Sequence, residues 1–263
     1  LALIHNLTSY EHRILYYGPD EMVDVEDKLT ALHTTNTELK AIPAKKEFVE
    51  NNMDKPLVYV VDYDMKQAEV MMLAKGDKLN INEYAIIKYH NEYFGGGMSS
   101  IVFQEMRESK ALAYSVYSTY TIPSDKDDSH YLMSYIGTQA DKLADAMVGM
   151  TELLDVMPEA EANMNNAKEG IEQKIRTERL TKSRVLSEYE NAQKLGVDYD
   201  LRKDVYKGVE NFDMSSLRDF HNSHIANGTR VVMVLGAKDD LDLEVLKQYG
   251  EIKHLTLKDV FGY

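Results

Sequence analysis

The chain has 263 residues, a formal net charge of −14 and no cysteine. This charge argues against nucleic acid or an anionic membrane as a partner, because a polyanion would be repelled over most of the surface. The lack of cysteine excludes disulfides and thiol chemistry. No apolar run approaches the roughly 18 residues of a membrane-spanning helix, so no membrane-spanning segment is predicted.

The first 55 residues do not read as a complete domain. Residues 13–18 are a strand candidate, and residues 20–33 have the apolar spacing of a helix with acidic residues early. One strand and one amphipathic helix cannot bury each other. Residues 34–55 are polar and without a clear period, as is typical of a linker.

The main domain is expected to begin at residue 56. Two strand patterns, residues 57–63 and 68–74, are separated by a short polar segment, which indicates a hairpin. Asn80, with Glu83 three residues later, resembles a capping box for the helix that follows.

Residues 93–120, YFGGGMSSIVFQEMRESKALAYSVYSTY, combine glycines, a helix start and a tyrosine-rich strand. Gly95, Gly96 and Gly97 remove side chains where the backbone must turn or be approached closely. They lack the spacing of a nucleotide-binding loop. They are expected to permit a break between two helices, with close approach of a substrate backbone as the alternative. A serine pair then offers the cap of a short helix over residues 99–108.

From Leu112 the period changes to two, which predicts a strand with Tyr114, Val116 and Tyr120 on one face. Arg107 closes the preceding helix. Taken alone, these residues favour ordinary structural roles, with Arg107 capping helix carbonyls and Tyr114 packing at a core edge.

The remaining elements alternate in the order expected of an α+β domain. The predicted elements are a strand at 130–137, helices at 140–154, from Pro158 into the basic stretch ending at Arg184, at 185–195 and at 214–225, a strand at 230–235 and a helix at 240–249. The last strand, glycine, acidic turn and helix repeat the order of residues 13–33, which suggests an internal domain repeat.

The segment FGGGMSSIVFQEMRESKALAYSV closely resembles the C-terminal, non-zinc half of the insulinase or pitrilysin family of zinc metallopeptidases, in its bacterial branch. The resemblance implies the two-layer fold of insulinase-type peptidases and mitochondrial processing peptidase, with a mixed, mainly antiparallel sheet packed against long helices. It implies that residues 1–33 are the tail of a preceding domain and 34–55 a linker. Residues 56–263 would then be a C-terminal peptidase-like domain without the zinc motif.

The resemblance also implies roles for individual residues. In this family the non-zinc half contributes an Arg and a Tyr seven residues apart to the active site, and Arg107 and Tyr114 match that spacing. They are expected to bind peptide substrate and to stabilise the oxyanion, with the three glycines as a substrate loop.

The implied protein is a zinc-dependent endopeptidase of which this chain is the accessory half. Zinc would be bound outside the chain, by the upstream half of the same protein or by a partner subunit, and the chain alone should be inactive. The alternative is a structural or assembly module of the same fold. The sequence does not fix the compartment, although a bacterial periplasmic location is favoured over a cytoplasmic one.

The histidines support a zinc site elsewhere. None of His5, His12, His33, His90, His130, His221, His224 and His254 begins an HxxEH or HExxH motif. Only His221 and His224 are closely spaced on a predicted helix. Because no Glu accompanies them, a solvated helix face is favoured over a metal site.

Overall fold

The computed structural model describes residue 4 and residues 6–46 and 48–262. The chain divides into two compact units. The first comprises Leu1–Asn51 and Arg179–Asn191, and the second comprises Asn52–Glu178 and Ala192–Tyr263.

The first unit contains the helix predicted near the N-terminus, α1, over Met22–Leu32. The predicted strand at residues 13–18 is wrong, because residues 11–17 are irregular. A strand needs a hydrogen-bonded neighbour, and the only bridge described nearby joins Tyr10 to Lys40. The proposed internal repeat therefore lacks the strand of its first copy.

The second unit is built on one six-stranded sheet. Its strands are β1 (Leu57–Asp62), β2 (Gln67–Lys78), β3 (Ser115–Tyr120), β4 (Ser129–Gln139), β5 (Val231–Gly236) and β6 (Glu251–Leu255). The order across the sheet is β3-β4-β2-β5-β1-β6, so β3 and β6 are edge strands. β1 pairs parallel with β5 and β6, and the other neighbours are antiparallel. The predicted mixed, mainly antiparallel sheet is confirmed.

The predicted hairpin between the first two strands is wrong. β5 lies between β1 and β2, and Val234 faces Val60 on one side and Val70 on the other. The apolar pattern identifies each segment as a strand but carries no information about its neighbour. The valine-rich β5 is buried and hydrogen-bonded on both edges, which only a central position allows.

Further helices follow in chain order, and the one over Lys182–Lys194 belongs mainly to the first unit. They are α2 (Tyr84–Phe94), α3 (Ile101–Phe103), α4 (Leu143–Asp155), α5 (Glu161–Thr177), α6 (Lys182–Lys194), α7 (Arg202–Asn211), α8 (Met214–His224), α9 (Leu243–Leu246) and α10 (Leu257–Phe261). The sequence reading missed α7, β6 and α10. Within the described ranges, no helix is long and apolar enough to cross a membrane.

Two predicted details around the helices differ from the structure. The helix expected from Pro158 begins at Glu161, because the Tyr93 hydroxyl donates to the Pro158 carbonyl at 2.6 Å and accepts from the Ala160 amide at 3.0 Å. These bonds hold residues 158–160 outside the helix. The Asn80 side chain caps a 3₁₀ turn and does not form a capping box. Its backbone amide donates to the Nε2 of His130.

The helices cover one face of the sheet, as alternation along the strands shows. Val58 and Val60 of β1, and Val70 and Met72 of β2, are almost fully buried. The residues between them, such as Tyr59, are only partly buried. The domain is therefore a two-layer α+β structure, as predicted, with one sheet face left open by the helices.

A pair of buried histidines joins α2 to α8. The Nε2 of His221 lies 2.9 Å from the Leu154 carbonyl, which can only accept, so this nitrogen carries the proton. Its Nδ1 then accepts from the Nε2 of His90, 3.1 Å away. The Nδ1 of His90 is buried, and no hydrogen-bond partner for it is found among the described residues. Burial lowers the pKa of His221 to about 4 and holds the pKa of His90 well below its ordinary value.

We expect this pair to make the folded state sensitive to acid. A His221 pKa lowered from 6.5 to about 4 means that the unfolded chain binds the proton more readily. The free energy of unfolding should therefore fall as pH drops from about 6.5 to about 4, by about 3 kcal/mol for this group alone. Urea unfolding at several pH values measures this.

The matched variant is His221→Gln, which can still donate to the Leu154 carbonyl but does not titrate. The test compares how the free energy of unfolding changes with pH in the two proteins, and not its value at neutral pH. A flatter pH dependence than that of the native chain is expected, and an unchanged one would contradict this account.

Candidate functional site

The glycine segment follows α2 and packs against the backbone of the edge strand β3. The Ser118 amide donates to the Gly95 carbonyl at 3.3 Å. A Cβ at Gly95 would lie 2.1 Å from the Ser118 carbonyl oxygen, and one at Gly96 would lie 2.7 Å from the Asn91 carbonyl oxygen. A Cβ at Gly97 meets nothing closer than 3.9 Å. Close backbone approach therefore requires the first two glycines, and the predicted break between two helices is confirmed.

Side chains of the next turn hold the loop after the glycines. Ser100 caps α3, because its hydroxyl donates to the Gly97 carbonyl at 2.6 Å and accepts from the Phe103 amide at 3.4 Å. Gln104 donates to the Met98 carbonyl at 2.6 Å. The serine cap predicted from the sequence is thus made by the second serine of the pair.

The helix that carries Arg107 widens into a π-helix over Gln104–Ser109. Its backbone shows the i to i+5 pattern, with the Lys110 amide donating to the Glu105 carbonyl at 3.1 Å. Ala111 follows with φ 49°, in the left-handed region that alanine rarely adopts. Single π turns and such backbone outliers occur often at functional sites.

Arg107 and Tyr114 come together at this turn. The guanidinium carbon of Arg107 lies 5.5 Å from the centre of the Tyr114 ring and 4.9 Å from that of Phe103. Cation–π contacts at exposed sites contribute about 0.5–1 kcal/mol. The Arg107 Nε is also 3.7 Å from Glu108, in an exposed ion pair that contributes little. The guanidinium is therefore positioned mainly by the two rings.

Tyr114 does not pack at a core edge with the residues that the sequence pattern placed on its face of the strand. Its side chain is 73% exposed, whereas that of Val116 is 7% exposed. Its amide donates to the Gly137 carbonyl at 2.8 Å, but β3 begins one residue later. Buried and exposed side chains alternate only within β3 itself. Tyr114 precedes the strand, and its side chain projects into solvent.

A groove is lined by both the glycine segment and β3. It has a volume of about 350 Å³ and is mostly apolar. Its lining comprises Gly95, Gly96, Gly97, Met98 and Phe103 on one side and Val116, Tyr117, Ser118 and Thr119 on the other. Because Phe103 contacts both the groove and Arg107, the cation lies beside the groove.

Two residues of this site were missed by the sequence reading. Phe103 precedes Arg107 by four positions, a helical spacing that could have indicated their contact. Asn91 gives no such signal, although it binds the edge of β3. Its side-chain amide donates to the Tyr120 carbonyl at 2.9 Å, and its Oδ1 accepts from the Tyr120 amide at 2.8 Å.

The closely spaced histidines of α8, His221 and His224, are engaged in contacts of their own within the second unit. His221 is buried in its hydrogen bonds to His90 and Leu154, so the predicted solvated helix face is wrong at this residue. His224 instead pairs with Glu83 at 3.3 Å. Among the described residues, which do not include His5, no group of three or more His, Cys, Asp or Glu is placed to hold a metal ion.

A family profile described as the Peptidase M16 inactive domain matches residues 17–171, which is more than half of the chain. The chain belongs to the peptidase M16 family. This is the insulinase family whose C-terminal motif the glycine segment resembles, so the sequence-based recognition is confirmed. The matched range contains the glycines, Arg107 and Tyr114.

Relatives and solved structures of the M16 family agree. The uncharacterized zinc protease YmxG of Bacillus subtilis is 31% identical over 143 residues, which are 52% of this chain and 34% of that protein. The uncharacterized zinc protease ML0855 of Mycobacterium leprae is 45% identical over 60 residues, 23% of this chain and 13% of that protein. The crystal structure of a peptidase M16 inactive domain from Pseudomonas fluorescens has a TM-score of 0.63 at 18% identity, covering 76% of this chain and 48% of that one.

The aligned parts thus span about a third or less of the curated relatives and about half of the solved structure. The comparisons establish an inactive M16 domain of the α+β fold predicted from the sequence.

We expect Gly95→Ala to destabilise the domain, because its Cβ would overlap the Ser118 carbonyl. Overpacking of this kind typically costs about 1–3 kcal/mol. Gly97→Ala is the matched control, since its nearest neighbour is the Glu92 carboxylate at 3.9 Å. Urea unfolding of the two variants should show a large loss for the first alone. Equal stabilities would show that the loop does not depend on this approach.

Proposed function

We propose that this chain is the accessory half of a zinc-dependent endopeptidase and supplies Arg107 and Tyr114 to the peptide site. The observation that carries the proposal is the cluster formed by Arg107, Phe103 and Tyr114 beside the groove at the edge of β3. Membership of the M16 inactive domain supports the accessory role.

Tyr114 is suited to act on the transition state. Its exposed ring projects from the end of the ladder, and the described residues provide no hydrogen-bond partner for its hydroxyl. Peptide hydrolysis places negative charge on the former carbonyl oxygen, to which a neutral phenol can donate. A positioned donor to such an oxygen contributes about 10²- to 10³-fold to the rate.

Arg107 is suited to hold the substrate. Its planar guanidinium is always charged and presents several donors in a fixed fork, which matches carbonyl or carboxylate oxygens. The rings of Phe103 and Tyr114 restrict the guanidinium, so less side-chain freedom is lost when a peptide binds. The groove beside it would take part of the peptide, with the glycine backbone as one wall.

The zinc ion belongs to the other half of the protein in this proposal. Among the described residues, His90 of α2 and His221 of α8 do not fit a catalytic zinc site, because they are committed to buried hydrogen bonds. His224 pairs with Glu83 instead. Zinc in the upstream half or in a partner subunit would supply the activated water. The two halves would enclose a peptide between them, and this chain by itself would not cleave it.

We expect Tyr114→Phe in the full-length protein to lower kcat by about 10²- to 10³-fold with little change in KM. The hydroxyl is lost while the ring that contacts Arg107 remains. Cleavage of a quenched fluorescent peptide measures both constants. Tyr63→Phe is the matched control, because Tyr63 is 51% exposed and lies at the end of β1, away from the groove. Full activity in Tyr114→Phe would favour the structural or assembly module instead.

Arg107→Lys is expected to act mainly on substrate binding. Lysine keeps the charge but loses the planar fork and its stacking between two rings, so KM should rise by about tenfold or more. The same peptide assay reports it, and Lys110→Arg nearby serves as a control for charge and size. An unchanged KM would remove Arg107 from the substrate site.

A further inference from the structure

The first unit contains two histidines whose ring nitrogens point at each other. The Nε2 atoms of His12 and His33 are 2.6 Å apart, and the rings meet edge to face with centroids 4.9 Å apart. This pair belongs to the first unit, whereas the residues of the proposed peptide site belong to the second.

The hydrogen bonds of His12 fix which of its nitrogens is free to bind. Its Nδ1 lies 2.7 Å from the Tyr10 carbonyl, which can only accept, so Nδ1 carries the proton. The lone pair of neutral His12 is therefore on Nε2, the atom that faces His33. Metal-binding histidines commonly have this arrangement, with the second ring N–H donated to a carbonyl oxygen.

Residues on both sides of His12 make contacts within the first unit. Before it, the Glu11 amide donates to the Lys40 carbonyl at 2.8 Å. After it, Arg13 forms an ion pair with Glu190 at 2.6 Å. His33 directly follows α1, and its amide donates to the Leu29 carbonyl at 2.7 Å. Both imidazoles are thus presented from anchored positions.

We infer that His12 and His33 form a binding site for a divalent transition metal such as Zn²⁺, which would replace the proton between their Nε2 atoms. Zn–N distances of about 2.0–2.1 Å in tetrahedral geometry place two ligating nitrogens about 3.3 Å apart. The two rings need to separate by less than about 1 Å to reach this distance. His12 is exposed and His33 is partly exposed, so the movement meets little packing.

Imidazole ligands favour certain metals, and the Nε2 proton of His33 must move when a metal binds. Imidazole ligands suit zinc, copper and nickel, whereas magnesium and calcium prefer oxygen. On binding, His33 gives up its Nε2 proton and takes up one at Nδ1, so neutral His33 changes tautomer without net proton loss. Water would fill the remaining positions, because the described residues place no third His, Cys, Asp or Glu beside the pair.

The test is isothermal titration calorimetry of the 263-residue chain with zinc chloride, and with magnesium chloride as the metal control. We expect one zinc per chain and no heat from magnesium. His12→Gln and His33→Gln should each weaken zinc binding by at least about 10- to 100-fold, the loss typical when even an outer partner of a ligand is removed. His254→Gln is the matched control, since His254 is exposed on β6.

Each other result would overturn the inference. No zinc binding by the native chain, or binding unaffected in both variants, would mean that the pair is only a hydrogen bond. Loss in only one of the two variants would exclude a shared ion. Circular dichroism of the variants would confirm that they fold, as expected for substitutions on the surface.

Discussion

The pairing of β5 with β1 and β2 is the constraint on which the rest of the second unit depends. β5 comes from the C-terminal part of the chain, and it separates two strands that are neighbours in sequence. Its Val232 and Val234 are buried in the hydrophobic core. Without this strand, β1 with β6 and β2 with β4 and β3 would be separate pieces. The edge strand beside the candidate site is thus part of a sheet completed only by distant residues.

The candidate site lies at the β3 edge of that sheet. Backbone groups contribute to it as much as side chains do. Gly95 brings the end of α2 onto β3, and Asn91 binds the peptide group of Tyr120. The π turn and the left-handed Ala111 then lead the chain from helix to strand within a few residues. As a result Arg107 and Tyr114 meet, while the groove stays open beside them. The irregular backbone between helix and strand therefore brings Arg107 and Tyr114 together.

Sequence patterns predicted local structure well where an element's own residues decide it. The strands of β1, β2 and β4 and the helices α1, α4 and α8 show clear periods and were found. The wrong predictions concern segments whose structure depends on contacts with residues distant in the sequence. Residues 13–18 have strand composition, but no described residues form a strand beside them, and Pro158 is held out of the helix by the Tyr93 hydroxyl. His221 looked solvated because its helix is polar overall, yet His90 and Leu154 bury it.

By itself the sequence determined the α+β class, the M16 family and the positions of the glycines, Arg107 and Tyr114. These follow from composition, short-range periodicity and one contiguous motif, all of which are local properties of the chain. Only the tertiary structure decided the strand order, the contact of Arg107 with Phe103 and Tyr114, and the pairing of His12 with His33 and His90 with His221. Each of these depends on which distant groups meet. The local sequence pattern of a segment is compatible with several partners. Hydrogen bonding and burial in the folded chain determine which partner it has.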